Sequence, residues 1–301
     1  MLPFGKPCPD VAEAETMRKK AFTLIELLVV ISVIALLLAI FLPVLGRVRT
    51  AAKSLACQSK LRQWGLVFSA CAADQGPAPL GFSDGPWWYA SRRYYHDEDL
   101  LLCPEATKPS GPRTLPFVQR QARRAWRLDY YCEDTASLKS YIASYGVNYW
   151  LTETVGLRRH AEQFGYRGNP YAELWYPKHW YWNPRAIPSS RIPLVFDCIT
   201  DGGTPDDFDE PPVFDGDFSI GSWGGDGMWW QTNHMRWECL NRHAPGQVNV
   251  TFLDGSTRPI GFKELWTLKW HSQFNTTGPW TTAGGAISAD WPAWMRRFKD
   301  Y

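Results

Sequence analysis

Charge of one sign is what this 301-residue chain lacks: 32 Lys and Arg stand against 30 Asp and Glu, a formal net charge of +2. The basic residues are scattered, and nothing in that balance asks for nucleic acid. Glycine-rich phosphate chemistry is missing too. The stretch GSWGGDG at residues 221–227 has neither the Lys-Ser/Thr of a phosphate loop nor the GxGxxG fingerprint, and it is not a nucleophile elbow. It reads as a flexible turn. No acid/base pair or nucleophile is assignable, which argues against an enzyme. No internal repeat of the solenoid kind is present.

What the chain has in quantity is aromatic: 17 Trp, 13 Tyr and 15 Phe, set among 23 Pro and 24 Gly. This predicts a loop-rich domain with a core more aromatic than aliphatic, in a chain long enough to bury one. There is also one long apolar run. Residues 22–45 hold a single charged side chain, Glu26, and at about 1.5 Å per residue they would cross a hydrocarbon core of roughly 30 Å. A removable secretory signal would stop after about 7 to 15 apolar residues at a small-x-small site. This run continues straight into GRVRTAAKSLACQSKLRQWG. Arg18, Lys19 and Lys20 precede it, so the positive-inside bias places the N-terminus in the cytoplasm and the rest of the chain outside. Arg47 and Arg49 dilute that bias without reversing it. A carboxylate at the centre of a membrane helix costs about 2.5 to 3.5 kcal/mol, and less near an end. Glu26 is near the end, where it is either a tolerated interfacial acid or a functional contact.

The letters around it, KKAFTLIELLVVISVIALLLAI, resemble the N-terminal segment of type IV prepilins and type II secretion pseudopilins. In that family a short basic leader and a small residue precede a Phe and an apolar helix whose fifth residue is Glu, the place Glu26 takes when counting starts at Phe22. The resemblance implies cleavage by a prepilin peptidase between Ala21 and Phe22 and N-methylation of Phe22. It also implies that Glu26 pairs with the terminal amine of a neighbouring subunit. Pro43 falls where the family often has a proline, which removes a helix hydrogen bond and bends the rod. The implied partners are the peptidase, other pilin or pseudopilin subunits, the secretion or pilus machinery and the lipid bilayer. The leader departs from the pattern twice. Ala21 replaces the usual Gly, which implies slower or selective processing, and MLPFGKPCPDVAEAET makes the leader long. A start at Met17 would shorten it to MRKKA.

Past the run, Val48, Ala52 and Leu55, then Leu61, Trp64, Phe68 and Cys71, recur at spacings of mostly three and four. That predicts one helix continuing as a stalk over residues 46–75, ended by DQGPAP, with a rod on the order of 80 Å long from residue 22. Residues 76–301 read as one globular domain. Strands are expected at residues 144–151 and 192–199, and a hairpin in QVNVTFLDGSTRPI, where Val248, Val250 and Phe252 alternate with polar residues before the Asp254-Gly255 turn. Residues 201–227 are expected to form a long irregular loop. The expected fold class is α+β and pilin-like: a leader over 1–21, a membrane segment over 22–45 and a stalk over 46–75. These precede a domain over 76–301 with an antiparallel sheet and long loops.

A second resemblance lies near the C-terminus. NRHAPGQVNVTFLDGS looks like the His-to-Asp-Gly segment of a large pilin-like family abundant in planctomycete-type bacteria, marked here by His243, Asp254 and Gly255. Ten residues separate His243 from Asp254 where that family usually has nine. A catalytic His243–Asp254 pair lacks a nucleophile, so His243 is expected to hydrogen-bond the turn at a strand entry. His234, Cys239 and His243 fit no standard zinc spacing. The acidic loop carries Asp201, Asp206, Asp215 and Asp217, oxygen donors of the kind that hold calcium, although no EF-hand register is present. Some pseudopilins carry calcium in a comparable loop; the alternative is a solvated acidic cluster. No other cofactor is implied.

Counting from Phe22, the cysteines are Cys57, Cys71, Cys103, Cys132, Cys198 and Cys239, and outside the cytoplasm they would sit where disulfides persist. Cys57 and Cys71 lie about 21 Å apart along a helix and cannot bond each other. Each is expected to tie the stalk to the domain, with Cys103 as a partner. Clustered Trp, including Trp87 and Trp229, leaves a second function open, a membrane-tethered module that stacks on carbohydrate or another envelope component.

Overall fold

The computed structural model describes residues 23–75, 87–109, 122–132, 137–151, 189–216, 233–243 and 246–301. By contact density the chain falls into two units, Met1–Val48 and Arg49–Tyr301. Helix α1, Leu24–Gln75, belongs to both. In the first unit its side chains are aliphatic on every side and exposed, as Leu36, Ile40 and Leu45 illustrate. A helix apolar all round is suited to lipid, and this one is long and apolar enough to cross a membrane. Pro43 sits inside it, where it supplies no N–H to the helix ladder.

In the second unit, residues 49–75 of α1 become one-sided. Cys57, Leu61, Trp64, Phe68 and Cys71 are buried, one above the next at steps of three and four, while Leu55 and Leu66 are exposed. Val48 and Leu55, expected in that stripe, are exposed instead. A helix turns about 100° per residue, so a position two before Cys57 falls on the far side.

The described remainder is built from short elements: α2 (Trp87–Ala90), β1 (Trp126–Cys132), β2 (Ser137–Ala143), β3 (Tyr145–Asn148), β4 (Pro193–Asp197), β5 (Gly202–Gly203), α3 (Met235–Glu238), β6 (Gln247–Phe252) and β7 (Thr257–Gly261). Strands β1 and β2 form an antiparallel pair of their own. The main sheet has the order β5-β3-β4-β6-β7, antiparallel except for the parallel β3–β5 edge, so the fold is α+β with an antiparallel-rich sheet. The expected strand at 144–151 stops early, because Tyr149–Leu151 tightens into a 3-10 turn. Within the expected irregular loop, Gly202–Gly203 forms the edge strand β5. Glycine is required there: Gly202 has φ 152°, and a Cβ on it would come 2.3 Å from the Val147 carbonyl oxygen.

The β6–β7 hairpin follows the expected alternation. The Gly255 N–H donates to the Phe252 carbonyl at 2.9 Å, and Gly255 itself has φ 80°, the left-handed residue that closes this kind of loop. Val248, Val250 and Phe252 enter a core containing Trp266, Trp270 and Trp291. The alternate residues Asn249 and Thr251 are polar yet fully buried, because the second-unit part of α1 covers that face. Ser54 bonds Asn249, and a Cβ on Gly65 would stand 3.0 Å from a Thr251 methyl. A second core, under α1, gathers Trp64, Trp87, Trp88, Trp126, Tyr145 and Val195. Among the described residues, no tryptophan side chain is exposed.

Glu238, at the end of α3, is fully buried, and neither carboxylate oxygen has a hydrogen-bond partner among the described residues. Burial, helped by the nearby Asp209 carboxylate, pushes its pKa well above the usual carboxylate range. The folded chain therefore holds a proton that the unfolded chain releases above its ordinary pKa. Stability is complete below that pKa and falls as pH rises, by up to about 1.4 kcal/mol per pH unit. Glu238→Gln is expected to flatten this decline, read as a smaller loss of Tm between pH 5 and pH 8 than in the unsubstituted chain. Parallel Tm curves would show that Glu238 is ionised in the fold.

Candidate functional site

Two of the places where the described residues bring polar groups together against an apolar background bear on function. The first is the start of α1. Arg18, Lys19, Lys20, Ala21 and Phe22 lie outside the described residues. Thr23 and Glu26 form a reciprocal capping box. The Thr23 N–H and hydroxyl each donate to Glu26 Oε2 at 2.8 Å, and the Glu26 N–H donates to Thr23 Oγ1 at 3.2 Å. The helix N-terminus, whose free N–H groups favour negative charge, thus holds the carboxylate in place. Oε1 accepts no hydrogen bond among the described residues. Glu26, the one acid of the apolar run, thus caps the start of α1.

The second place lies wholly within Arg49–Tyr301. Lys60 Nζ bonds Asp99 Oδ2 at 2.7 Å and the Leu102 carbonyl at 3.1 Å, while Trp64 Nε1 donates to the Leu100 carbonyl at 2.9 Å. These contacts hold the 3-10 turn Glu98–Leu101 against α1 and bring Cys103 to the level of Cys57. Asp197, the last residue of β4, reaches the same spot. Its Oδ1 and Oδ2 are each 3.7 Å from Cys57 Sγ, Oδ2 accepts the Asn249 N–H at 3.0 Å, and Oδ1 meets the Arg242 guanidinium at 3.3 Å. His243 completes the group. Its Nε2 lies 3.1 Å from Asp197 Oδ2 and 3.5 Å from Cys103 Sγ. Cys57, Cys103, Asp197 and His243 have no exposure, and their four ligand atoms all lie within 4.8 Å of one another.

The electrostatics follow from that crowding. Burial opposes charge on Asp197, but His243 and Arg242 hold its pKa down to about 2. Burial likewise opposes an imidazolium, and Asp197 overrides it, pushing His243 up to about 10. Burial raises the Cys57 thiol well above its ordinary value. For Cys103 the bonds from Cys57 and His243 outweigh burial and bring it to about 7.

His243 and Asp254, which the sequence invites one to pair, have different partners. The His243 backbone pairs with Gln247 at the entry to β6, the side chain turns inward to Asp197, and Asp254 accepts from Ser256 in the β6–β7 turn beside Gly255. Asp197 and Arg242 were not singled out by sequence. The only signal for the first was an acid closing an apolar strand, and for the second an Arg next to His243. The His234–Cys239–His243 triplet does not assemble: His234 Nδ1 accepts from the Thr204 N–H and its ring stacks on Trp237, while Cys239 sits in the aromatic core.

The acidic residues of the loop also have separate partners. Asp201 accepts from Thr200, Asp215 from the Asn241 N–H, and Asp206 from the Asp207 N–H, with His271 Nε2 at 3.2 Å. Asp206 groups with Asp207 and His271 rather than with Asp201 or Asp215, and Asp217 lies outside the described residues. The five cysteines with described side chains, Cys57, Cys71, Cys103, Cys198 and Cys239, carry free thiols, so the expected disulfides from α1 are not formed although Cys57 and Cys103 do meet. Trp87 offers no face for a sugar: it is buried and donates its Nε1 to the Asp201 carbonyl at 2.7 Å. Trp229 lies outside the described residues.

Residues 16–42 match the family described as the prokaryotic N-terminal methylation motif. The His243-to-Gly255 segment lies outside that match. No curated protein and no solved structure matches the chain. The matched residues overlap the apolar part of α1, a helix long enough to cross a membrane, so the chain carries a prepilin-type N-terminal segment.

Proposed function

We propose that this chain is a structural subunit, cut by a prepilin peptidase between Ala21 and Phe22, N-methylated on Phe22 and assembled into a type II secretion pseudopilus or a type IV pilus-like fibre. The observation that carries this reading is the motif match at residues 16–42, which overlaps both the junction Ala21-Phe22 and the apolar part of α1. The precursor sits in the inner membrane with Arg18, Lys19 and Lys20 on the cytoplasmic side and the domain outside. Its work is mechanical. The all-round apolar helix leaves lipid by packing against other such helices, and the Glu26 carboxylate, costly in lipid while unpaired, is relieved when a neighbour's Phe22 amine arrives. Mass spectrometry of the N-terminus of the purified protein tests the pathway. The expected mature chain begins at N-methylated Phe22; a chain that keeps residues 18–21 would return the protein to the class of simple membrane anchors.

A further inference from the structure

We propose that Cys57, Cys103, Asp197 and His243 form a buried binding site for one thiophilic divalent cation, zinc being the ion that fits the donor set. Two sulfurs, one imidazole nitrogen and one carboxylate oxygen are all donors that zinc takes, at about 2.3 Å for sulfur and 2.0 to 2.2 Å for nitrogen and oxygen. A regular tetrahedron with those bond lengths has ligand-to-ligand edges of roughly 3.3 to 3.8 Å. Three of the six edges are 3.1 Å for His243–Asp197, 3.5 Å for His243–Cys103 and 3.7 Å for Cys57–Asp197, near those values, and the other three are within 4.8 Å. Sulfur donors turn away calcium and magnesium, which take oxygen.

Charge and support agree with that assignment. Two thiolates and a carboxylate carry three negative charges in a place without solvent. A divalent ion and the Arg242 guanidinium carry three positive ones, so the loaded site is neutral. Binding displaces the two thiol protons and the proton on His243 Nε2. The surrounding bonds orient ligands as an outer shell does: Asn249 N–H and Arg242 hold Asp197, and the Tyr145 hydroxyl donates to Cys57 Sγ at 3.4 Å. The four ligands come from α1, the segment after the Glu98–Leu101 turn, the end of β4 and the entry to β6. One ion would therefore cross-link, within this unit, elements far apart in sequence, in the place of the expected disulfide from α1.

The test uses the full chain purified in detergent without chelator. Elemental analysis is expected to find about one zinc per chain, and the Cys57→Ser/Cys103→Ser double variant less than a tenth of that. Should the double variant fail to fold, the unsubstituted chain exchanged with cobalt decides the matter. Thiolate-to-cobalt charge-transfer absorption at tetrahedral intensity is expected at one equivalent. Overturning results are a chain with less than a tenth of an equivalent of metal after zinc reconstitution under reducing conditions, cobalt spectra without thiolate bands, or non-reducing peptide maps in which Cys57 and Cys103 are joined as a disulfide.

Discussion

Glu26→Gln is expected to leave membrane insertion and cleavage intact while reducing incorporation into a fibre by more than about 100-fold, measured by shearing or by crosslinking between subunits. The substitution is chosen for the capping box. Glutamine at this position still accepts from Thr23, so the start of α1 keeps a cap worth about 0.5 to 2 kcal/mol. What disappears is the charge. On the proposed pairing with a neighbour's Phe22 amine, leaving that ammonium group unpaired in a low-dielectric surround costs about 3 to 5 kcal/mol, which sets the size of the expected loss. Glu26→Ala removes cap and charge together and is the less informative change. If Glu26→Gln assembles normally and only Glu26→Ala fails, the residue is a helix cap and the assembly contact lies elsewhere.

Arg242→Met is expected to lower the stability of the unit Arg49–Tyr301 by about 3 to 5 kcal/mol, enough to move Tm by roughly 6 to 20 °C. The Arg242 side chain has no exposure. It donates to the carbonyls of Ala122 at 2.6 Å, Cys198 at 2.6 Å, Arg124 at 3.2 Å and Ser144, and pairs with Asp197. Methionine fills much of the space and satisfies none of those acceptors, leaving the fully buried Asp197 without its guanidinium. Arg258→Met serves as the contrast. That guanidinium also meets a carboxylate, Glu264 at 2.7 Å, but it is 44% exposed, and its loss is expected to cost no more than about 1 kcal/mol. Equal Tm shifts in the two variants would mean that burial does not set the value of Arg242.

How legible each feature was depended on how local its cause is. Helix α1 could be read from its apolar run and its three-and-four spacing, and the β6–β7 hairpin from strict alternation ending in Asp254-Gly255. The same alternation misled in one respect: Asn249 and Thr251 look like a solvated face and are buried under α1. Polar letters on a strand say which residues share a side, and only the layer placed above that side decides whether they are wet. Trp87 and Trp88 posed the same problem, since an aromatic pair has the same composition in a binding face and in a core. The hydrogen bond from Trp87 to the Asp201 carbonyl is what distinguishes them.

By itself the sequence determined the methylation-type motif and the long helix, because both are written in contiguous residues and the apolar run is matched to lipid. The tertiary structure alone decided the meeting of Cys57, Cys103, Asp197, Arg242 and His243. These residues come from four distant parts of the chain, and their spacing in sequence carries no trace of the few ångströms between them. His243 shows the difference most plainly. The sequence leads one to expect its side chain to hydrogen-bond the turn at a strand entry, while the fold turns that side chain inward from the entry at Gln247 and gives it to Asp197.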